Sequence, residues 1–306
     1  MRLGFALPQV GPVAEPESII TVAKRAEDLG FDSLWVLDRL LFPVYPRLPY
    51  PVGDGSLPEN YKRPLDPLET LTFAAAHTRN LALGTSILNL PWYNPVLLAR
   101  QLSTVDVLSK GRLRVGFGVG WSPDEYEAVA IPMRERSKRA EEILQALKAI
   151  WTTDPVEFHG KYYQIPKSFI GPKPVQKPHP PIYMEAFTEP AMQRAAREAD
   201  GWIPVGIPIS AIAQMFETIK QMAQSAGRDP ARLELIVRAN VEFSAPKSTA
   251  DRADFTGTLE QITQDVAAVQ SLGAAELLFD VQFSSDVRTV ADILDKMEQL
   301  WRVVEA

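Results

Sequence analysis

The chain has 306 residues, 46% hydrophobic and 23% charged, with a formal net charge of −6. Those proportions belong to a folded globular protein, and the length suits one large α/β barrel or two ordinary domains. The acidic balance gives no reason to expect nucleic acid or an anionic membrane surface as a partner, and with no cysteine there is no disulfide or thiolate metal centre.

Met1 runs straight into a strand-like segment without the pattern of a signal peptide, and no apolar run approaches the roughly 18 residues that span a bilayer, so a cytoplasmic protein is expected. Residues 3–7 form a short apolar strand ended by Pro8. Residues 17–29 carry a helical apolar stripe of Ile19, Ile20, Val22, Ala23 and Ala26, stopped by Gly30. A second continuous apolar strand, 33–37, is followed by Asp38 and Arg39. Strand, helix and strand in about forty residues open a parallel sheet.

Residues 40–67 break that rhythm with seven prolines and the tyrosines Tyr45, Tyr50 and Tyr61. A loop this long in a compact domain is functional or disordered, and its aromatics favour an ordered lid. A helix (68–79), a strand (81–87) and a proline-led helix (95–108) follow. In the fourth strand Leu113, Val115, Phe117, Val119 and Trp121 alternate with Arg114, Gly116, Gly118 and Gly120. Repeated glycine in a buried strand marks the close approach of a ligand or of another backbone. The run is not a dinucleotide fingerprint, since the third glycine is one place early and Pro123 interrupts the turn that should open a helix.

An amphipathic helix (137–151) leads to a second proline-rich segment, 155–181, before the fifth strand at 182–186. Compact units complete the chain: helix 189–199, strand 201–205, helix 210–226, strand 233–243, helix 259–272, strand 276–281 and helix 287–304. Eight strand-then-helix units predict one α/β domain over residues 1–306, a (β/α)8 TIM barrel with insertions after strand two and before strand five. A doubly wound sheet is the alternative.

Ligands of such barrels bind at the C-terminal ends of the strands. That rule selects Asp38 and Arg39; Ser86, Ile87 and Asn89; Gly118 to Glu125; Glu185, Phe187 and Thr188; and Arg238 and Asn240. The structural alternative for each is a solvated loop or a rim salt bridge. None of the three histidines (His77, His159, His179) falls at a strand end, so no metal is expected. No G-x-S-x-G elbow or Ser–His pair is visible either. Space and aromatics with few titratable groups describe a pocket where a bound cofactor supplies the reactivity.

Four segments, TVDVLSKGRLRVGFGVGWSPDEYEA, LALGTSILNLPWYNP, VQKPHPPIY and RAAREADGW, together resemble the bacterial luciferase-like flavin monooxygenases. Within that family the chain is most similar to the branch of deazaflavin (coenzyme F420)-dependent oxidoreductases. The resemblance implies a commonly dimeric barrel holding a reduced flavin or deazaflavin across its mouth, near a bulge with a cis peptide at Ser86–Ile87. It places Asp38, Ser86, Ile87, Asn89, Gly118, Gly120, Trp121 and Thr188 around the cofactor, with Gly118 and Gly120 bare where the ring or its tail passes. Arg39 and Glu125 become the catalytic candidates. Tyr45 and Tyr50 of the lid, with Arg238, become candidates for substrate contact, although Arg238 also suits a buried ion pair with a rim carboxylate.

Two departures from the family pattern stand out. Arg39 occupies the place of a histidine, and arginine stabilises negative charge but cannot act as a base. Glu185-Ala186-Phe187-Thr188 replaces a Gly-Gly-Ser-like turn, leaving Thr188 and backbone N–H groups to hold a cofactor phosphate. The expected activity is F420-dependent hydride transfer to or from a small organic substrate, with a separate reductase or dehydrogenase supplying reduced cofactor. The alternatives are an FMN-dependent monooxygenase and a non-catalytic flavin-binding barrel. A sugar-phosphate aldolase or isomerase would want a lysine or paired carboxylates at strand ends, and no lysine is there.

Overall fold

The computed structural model describes residues 1–246 and 252–305. Eight parallel strands form its centre: β1 (Arg2–Ala6), β2 (Ser33–Val36), β3 (Ala82–Thr85), β4 (Leu113–Gly118), β5 (Ile182–Met184), β6 (Gly201–Trp202), β7 (Glu234–Asn240) and β8 (Glu276–Asp280). Each pairs with the next in sequence, and β8 pairs back with β1 through Leu278 and Gly4, so the sheet closes on itself. The doubly wound alternative is thereby excluded, and the fold is a (β/α)8 barrel.

Helices α1 (Pro16–Leu29), α2 (Pro67–His77), α3 (Pro95–Leu108), α4 (Arg136–Thr152), α5 (Glu189–Glu198), α6 (Ile209–Ser225), α7 (Leu259–Ser271) and α8 (Val290–Glu305) follow the strands in turn. Their ends obey local chemistry. Proline opens α1, α2 and α3, where the absent N–H would have had no partner. Gly30 closes α1 with φ +92°, a left-handed conformation that glycine adopts without a Cβ clash. Asn94 accepts from the N–H groups of Val96 and Leu97 at 2.9 and 3.3 Å, capping α3. Ile19, Val22, Ala23 and Ala26 of α1 are buried, as their 3.6-residue spacing requires. Among the described residues no helix is long and apolar enough to cross a membrane.

The barrel interior is packed with side chains. Ala6, Trp35, Tyr183, Ile203, Ile236 and Leu278 form one buried cluster, with Ile87 lying on it. Trp35 fits because Gly84, its register partner on β3, leaves the space its indole fills. At the N-terminal end, fully buried Glu276 gathers Arg2, Arg114, Ser33 and Trp35 around one carboxylate. This plug fills the middle of the barrel, and a cavity opens at each of its two ends.

Three segments depart from the sequence expectation. Pro123 does not prevent a helix; it sits in the first turn of a short one, Pro123–Ala128. The 155–181 segment contains an antiparallel hairpin, Val156–His159 with Gln164–Ser168, which its proline content concealed. The seventh strand stops at Asn240, and Glu242–Phe243 then pairs with Thr256–Gly257 outside the barrel.

Candidate active site

The bulge after β3 organises the mouth. Ser86–Ile87 is a cis peptide between non-proline residues, as the resemblance implied. The chain then returns to the sheet, with Leu88–Asn89 pairing Phe117–Gly118 of β4. The Thr85 hydroxyl holds the interrupted edge. It donates to the Gly116 carbonyl and accepts from the Gly116 N–H, both at 2.9 Å, in place of ladder bonds. The two glycines of β4 therefore admit protein rather than a bare ring. A Cβ at Gly116 would collide with the Thr85 carbonyl oxygen, and one at Gly118 with the end of Ile87. Gly120 has left the strand with φ +66°, facing Asn89. The glycine face expected to lie bare beside a cofactor is instead packed by Thr85 at Gly116, Ile87 at Gly118 and Asn89 at Gly120.

A cavity of about 290 Å³ opens above this bulge. Asp38 and Arg39 line it after β2, Ser86, Ile87 and Asn89 after β3, and Gly120, Trp121 and Glu125 after β4. Tyr50, Pro51, Val52 and Tyr61 of the 40–67 insertion cover one side, and Arg238 and Asn240 enter from β7. Sequence reasoning thus brought ten of its thirteen site residues to one place. A second cavity, about 380 Å³, shares Val52, Val205, Arg238 and Asn240 with the first.

Three expected residues lie elsewhere. Tyr45 is 89% exposed and does not line the cavity, because residues 44–49 of the insertion are exposed and it turns back inward at Tyr50. Gly118 does not line it either, being covered by Ile87. Thr188 stands at the start of α5, but its side chain makes no capping bond and is exposed. With Glu189 in the first turn and Glu185 just before, that helix end is electrostatically poor for a phosphate.

Arg39 is held from three sides. Its Nη1 lies 3.2 Å from Glu125 Oε2, and its guanidinium carbon stands 5.1 Å from the Trp121 ring centre and 5.2 Å from that of Tyr61. Such stacking suits a planar cation in a dry site. Glu125 also accepts the Leu40 N–H at 3.0 Å; burial pushes its carboxyl up, and Arg39 pulls it back. Asp38 accepts the Asn89 N–H at 2.9 Å and the Tyr93 hydroxyl at 3.1 Å, while burial raises it to about 6. Arg238 pairs with Asp280, the ion pair that the sequence offered as an alternative, and donates to the Ser86 carbonyl at 2.6 Å.

Three of the lining residues hold buried polar atoms that have no partner among the described residues: Arg39 Nε and Nη2, Arg238 Nε and Asn240 Oδ1. Buried donors and acceptors are almost always satisfied, and these exceptions fall on residues that line one cavity. Sequence reasoning undervalued two of the lining residues. Tyr61 enters the sequence reading as a lid aromatic, and Glu185 as a strand-end candidate without an assigned role; burial raises the Glu185 carboxyl to about 7. The histidines stay outside the cavity, with His77 on α2, His159 in the hairpin and His179 in the segment after it. A larger cavity, about 570 Å³, opens at the opposite end of the barrel. There Arg2, Arg114, Glu234 and Glu276 already satisfy one another.

Residues 1–254 match the family model described as luciferase-like monooxygenase. The chain belongs to this family. Among its luciferase-like relatives, the Mycobacterium tuberculosis protein Rv0953c is 35% identical over 210 residues, 68% of this chain and 74% of the relative. An FMNH2-dependent dimethylsulfone monooxygenase of Pseudomonas putida is 36% identical over 155 residues, 50% of this chain and 42% of that one. An F420-dependent glucose-6-phosphate dehydrogenase of Amycolatopsis mediterranei is 31% identical over 192 residues, 61% of this chain and 53% of that one. Among solved structures, the monooxygenase RslO1 from Streptomyces bottropensis superposes with a TM-score of 0.82 at 22% identity, covering 99% of this chain and 98% of its own. Luciferase-like barrels are oxidoreductases and monooxygenases, and this chain is an enzyme of that kind.

Proposed function

We propose that the chain moves hydride between a deazaflavin coenzyme and a small organic substrate at the cavity above Ile87. One observation carries this: Arg39, Arg238 and Asn240, which hold buried polar atoms without a partner among the described residues, line a single cavity. The pyrimidine edge of a flavin or deazaflavin alternates carbonyl oxygens with an N–H, the complement of two arginine donors and an amide oxygen. When bound there, a deazaflavin supplies a ring carbon that accepts or releases hydride. Glu125 orients Arg39, Ile87 supports the ligand from below, and Tyr50, Tyr61 and Trp121 exclude water from above.

The likeness to an F420-dependent dehydrogenase over 61% of the chain supports the deazaflavin. The FMN reading keeps a place because the FMNH2-dependent relative matches half the chain and both coenzymes share the pyrimidine edge. A separate dehydrogenase or reductase would supply the reduced coenzyme. Assembly as a homodimer is part of the proposal, supported by the exposed apolar groups Phe73, Leu97 and Leu108 along α2 and α3. Equilibrium titration with F420 and with reduced FMN, followed by coenzyme fluorescence and absorbance, tests the choice. Tight binding of F420 is expected. Binding of reduced FMN without F420 reverses the assignment, and binding of either without turnover of any alcohol or carbonyl substrate favours a storage role.

A further inference from the structure

Four carboxylates surround the mouth, and three are engaged. Asp38 accepts from Asn89 and Tyr93, Glu125 binds Arg39 and the Leu40 N–H, and Asp280 binds Arg238 and Gln282. Glu185 has no hydrogen bond or ion pair from its carboxyl among the described residues, yet it lines the cavity. Its place is built by the backbone: the Glu185 N–H donates to the Phe117 carbonyl at 2.9 Å, extending the pairing of β4 with β5 by one bond. The side chain then reaches over Gly118, where Oε2 stands 3.0 Å from the position a Cβ would take. Glycine at 118 thus makes room for the two groups that meet there, Ile87 and the Glu185 carboxyl.

We propose that Glu185 is the acid–base group of this site, exchanging the hydroxyl proton of an alcohol substrate as hydride moves. This rests on the hydride-transfer reading given above. In the oxidative direction the substrate C–H bond breaks with its electron pair passing to the deazaflavin. The O–H proton passes to the Glu185 carboxylate, and the carbon–oxygen double bond forms. The alcohol loses two electrons, the coenzyme gains them, and the reverse reaction returns the proton to the carbonyl oxygen. The substrate class is therefore an alcohol or the matching aldehyde or ketone.

The alternatives nearby are chemically unsuited. Arg39 and Arg238 cannot release a proton at ordinary pH. Asp38 and Glu125 would have to give up existing bonds, and the Tyr61 hydroxyl is pushed far above its usual range by burial. Glu185 faces Arg238 from β7, which favours its charged form, against the desolvation that favours the neutral one. Arg39 and Asp38 after β2, Glu125 after β4, and Tyr50 and Tyr61 from the insertion are the other titratable or charged groups lining the cavity. A carboxyl poised near neutrality is populated in both states, as a reversible proton carrier requires.

The test uses Glu185→Gln and Glu185→Asp in the full chain. Infrared difference spectra against pH, wild type minus Glu185→Gln without coenzyme, are expected to show a protonated-carboxyl band that disappears as pH rises through about 7. With F420 and a panel of alcohols, Glu185→Gln should bind the coenzyme as tightly as wild type. Its turnover should fall about 100-fold or more, and the break in the pH profile should vanish. Glu185→Asp should restore part of the turnover and the break. A carboxyl band that titrates in the ordinary carboxylate range overturns the proposal, as does unchanged turnover in Glu185→Gln with coenzyme bound. Failure of the wild type to bind F420 instead removes the hydride-transfer reading and this inference with it.

Discussion

Arg39 and Glu125 form a salt bridge of 3.2 Å inside the protein, their side chains only 6% and 1% exposed. Residues 86 positions apart are thereby joined across the mouth, tying the exit of β2 to the short helix after β4. Removing one partner of a buried pair leaves an uncompensated charge, which costs about 3–5 kcal/mol. Glu125→Ala is expected to lower unfolding stability by about that much, and Glu125→Gln by less, since an amide still accepts the Leu40 N–H. Urea denaturation of both variants measures the difference. Arg39→His should act on binding as well as on stability, because the Nε and Nη2 donors are lost along with the Glu125 partner. A charge-assisted bond is worth about 1.5–3 kcal/mol, so F420 affinity should fall on the order of tenfold or more.

The two central glycines of β4 should fail differently. An alanine at 116 meets a backbone carbonyl, that of Thr85, which cannot move without breaking the β3–β4 closure. Overpacking of this kind costs about 1–3 kcal/mol, and Gly116→Ala should show it as a lower urea midpoint. An alanine at 118 meets the tip of Ile87, a side chain that can rotate, and Glu185 Oε2. Gly118→Ala should keep most of its stability while coenzyme affinity and turnover fall. Equal losses of stability in the two variants would contradict this account of the bulge.

Asp38 gives the fold a pH dependence of definite sign. Its carboxyl titrates near 6 in the folded chain, against about 3.9 when unfolded. Across that window the folded state holds more protons than the unfolded one. Stability from this group therefore falls as pH rises from about 4 to about 6, then stays level. Asp38→Asn keeps an oxygen for Asn89 and Tyr93 but removes the titration. Urea midpoints measured at intervals over that range should fall less steeply in the variant than in wild type. Parallel curves would show that Asp38 titrates at its ordinary value.

Arg238 links the rim to the bulge, since one guanidinium holds both Asp280 and the Ser86 carbonyl. Arg238→Gln strands a buried Asp280 and should cost about 3–5 kcal/mol. Adding Asp280→Asn removes the stranded charge and should recover a large part of that loss. Coenzyme binding should stay weak in the double variant, because the Arg238 donors remain absent. Denaturation and F420 titration of the single and double variants separate the two contributions.

Much of the site was legible in the sequence because strand ends are. Asp38, Arg39, Ser86, Ile87, Asn89 and Arg238 follow directly from locating apolar strands and applying the rule for parallel barrels. Tyr45 and Thr188 lie outside that cavity for a local reason, since the direction of a loop side chain has no periodicity to reveal it. The hairpin in 155–181 was hidden because proline density reads as irregular, although proline is tolerated at sheet edges.

By itself the sequence determined the order of eight strands and eight helices, through apolar periodicity and the proline and glycine that bound them. It also determined that glycine must stand at 116 and 118, without saying what comes close. Only the closed sheet decided that. It brought Thr85 and Ile87 against those glycines, spent Asp38 and Glu125 on neighbours far away in the chain, and left the Glu185 carboxyl without a hydrogen bond or ion pair among the described residues. Local pattern follows from backbone geometry and burial, which each segment carries alone. Which polar groups satisfy one another depends on contacts across the barrel, and no single segment contains them.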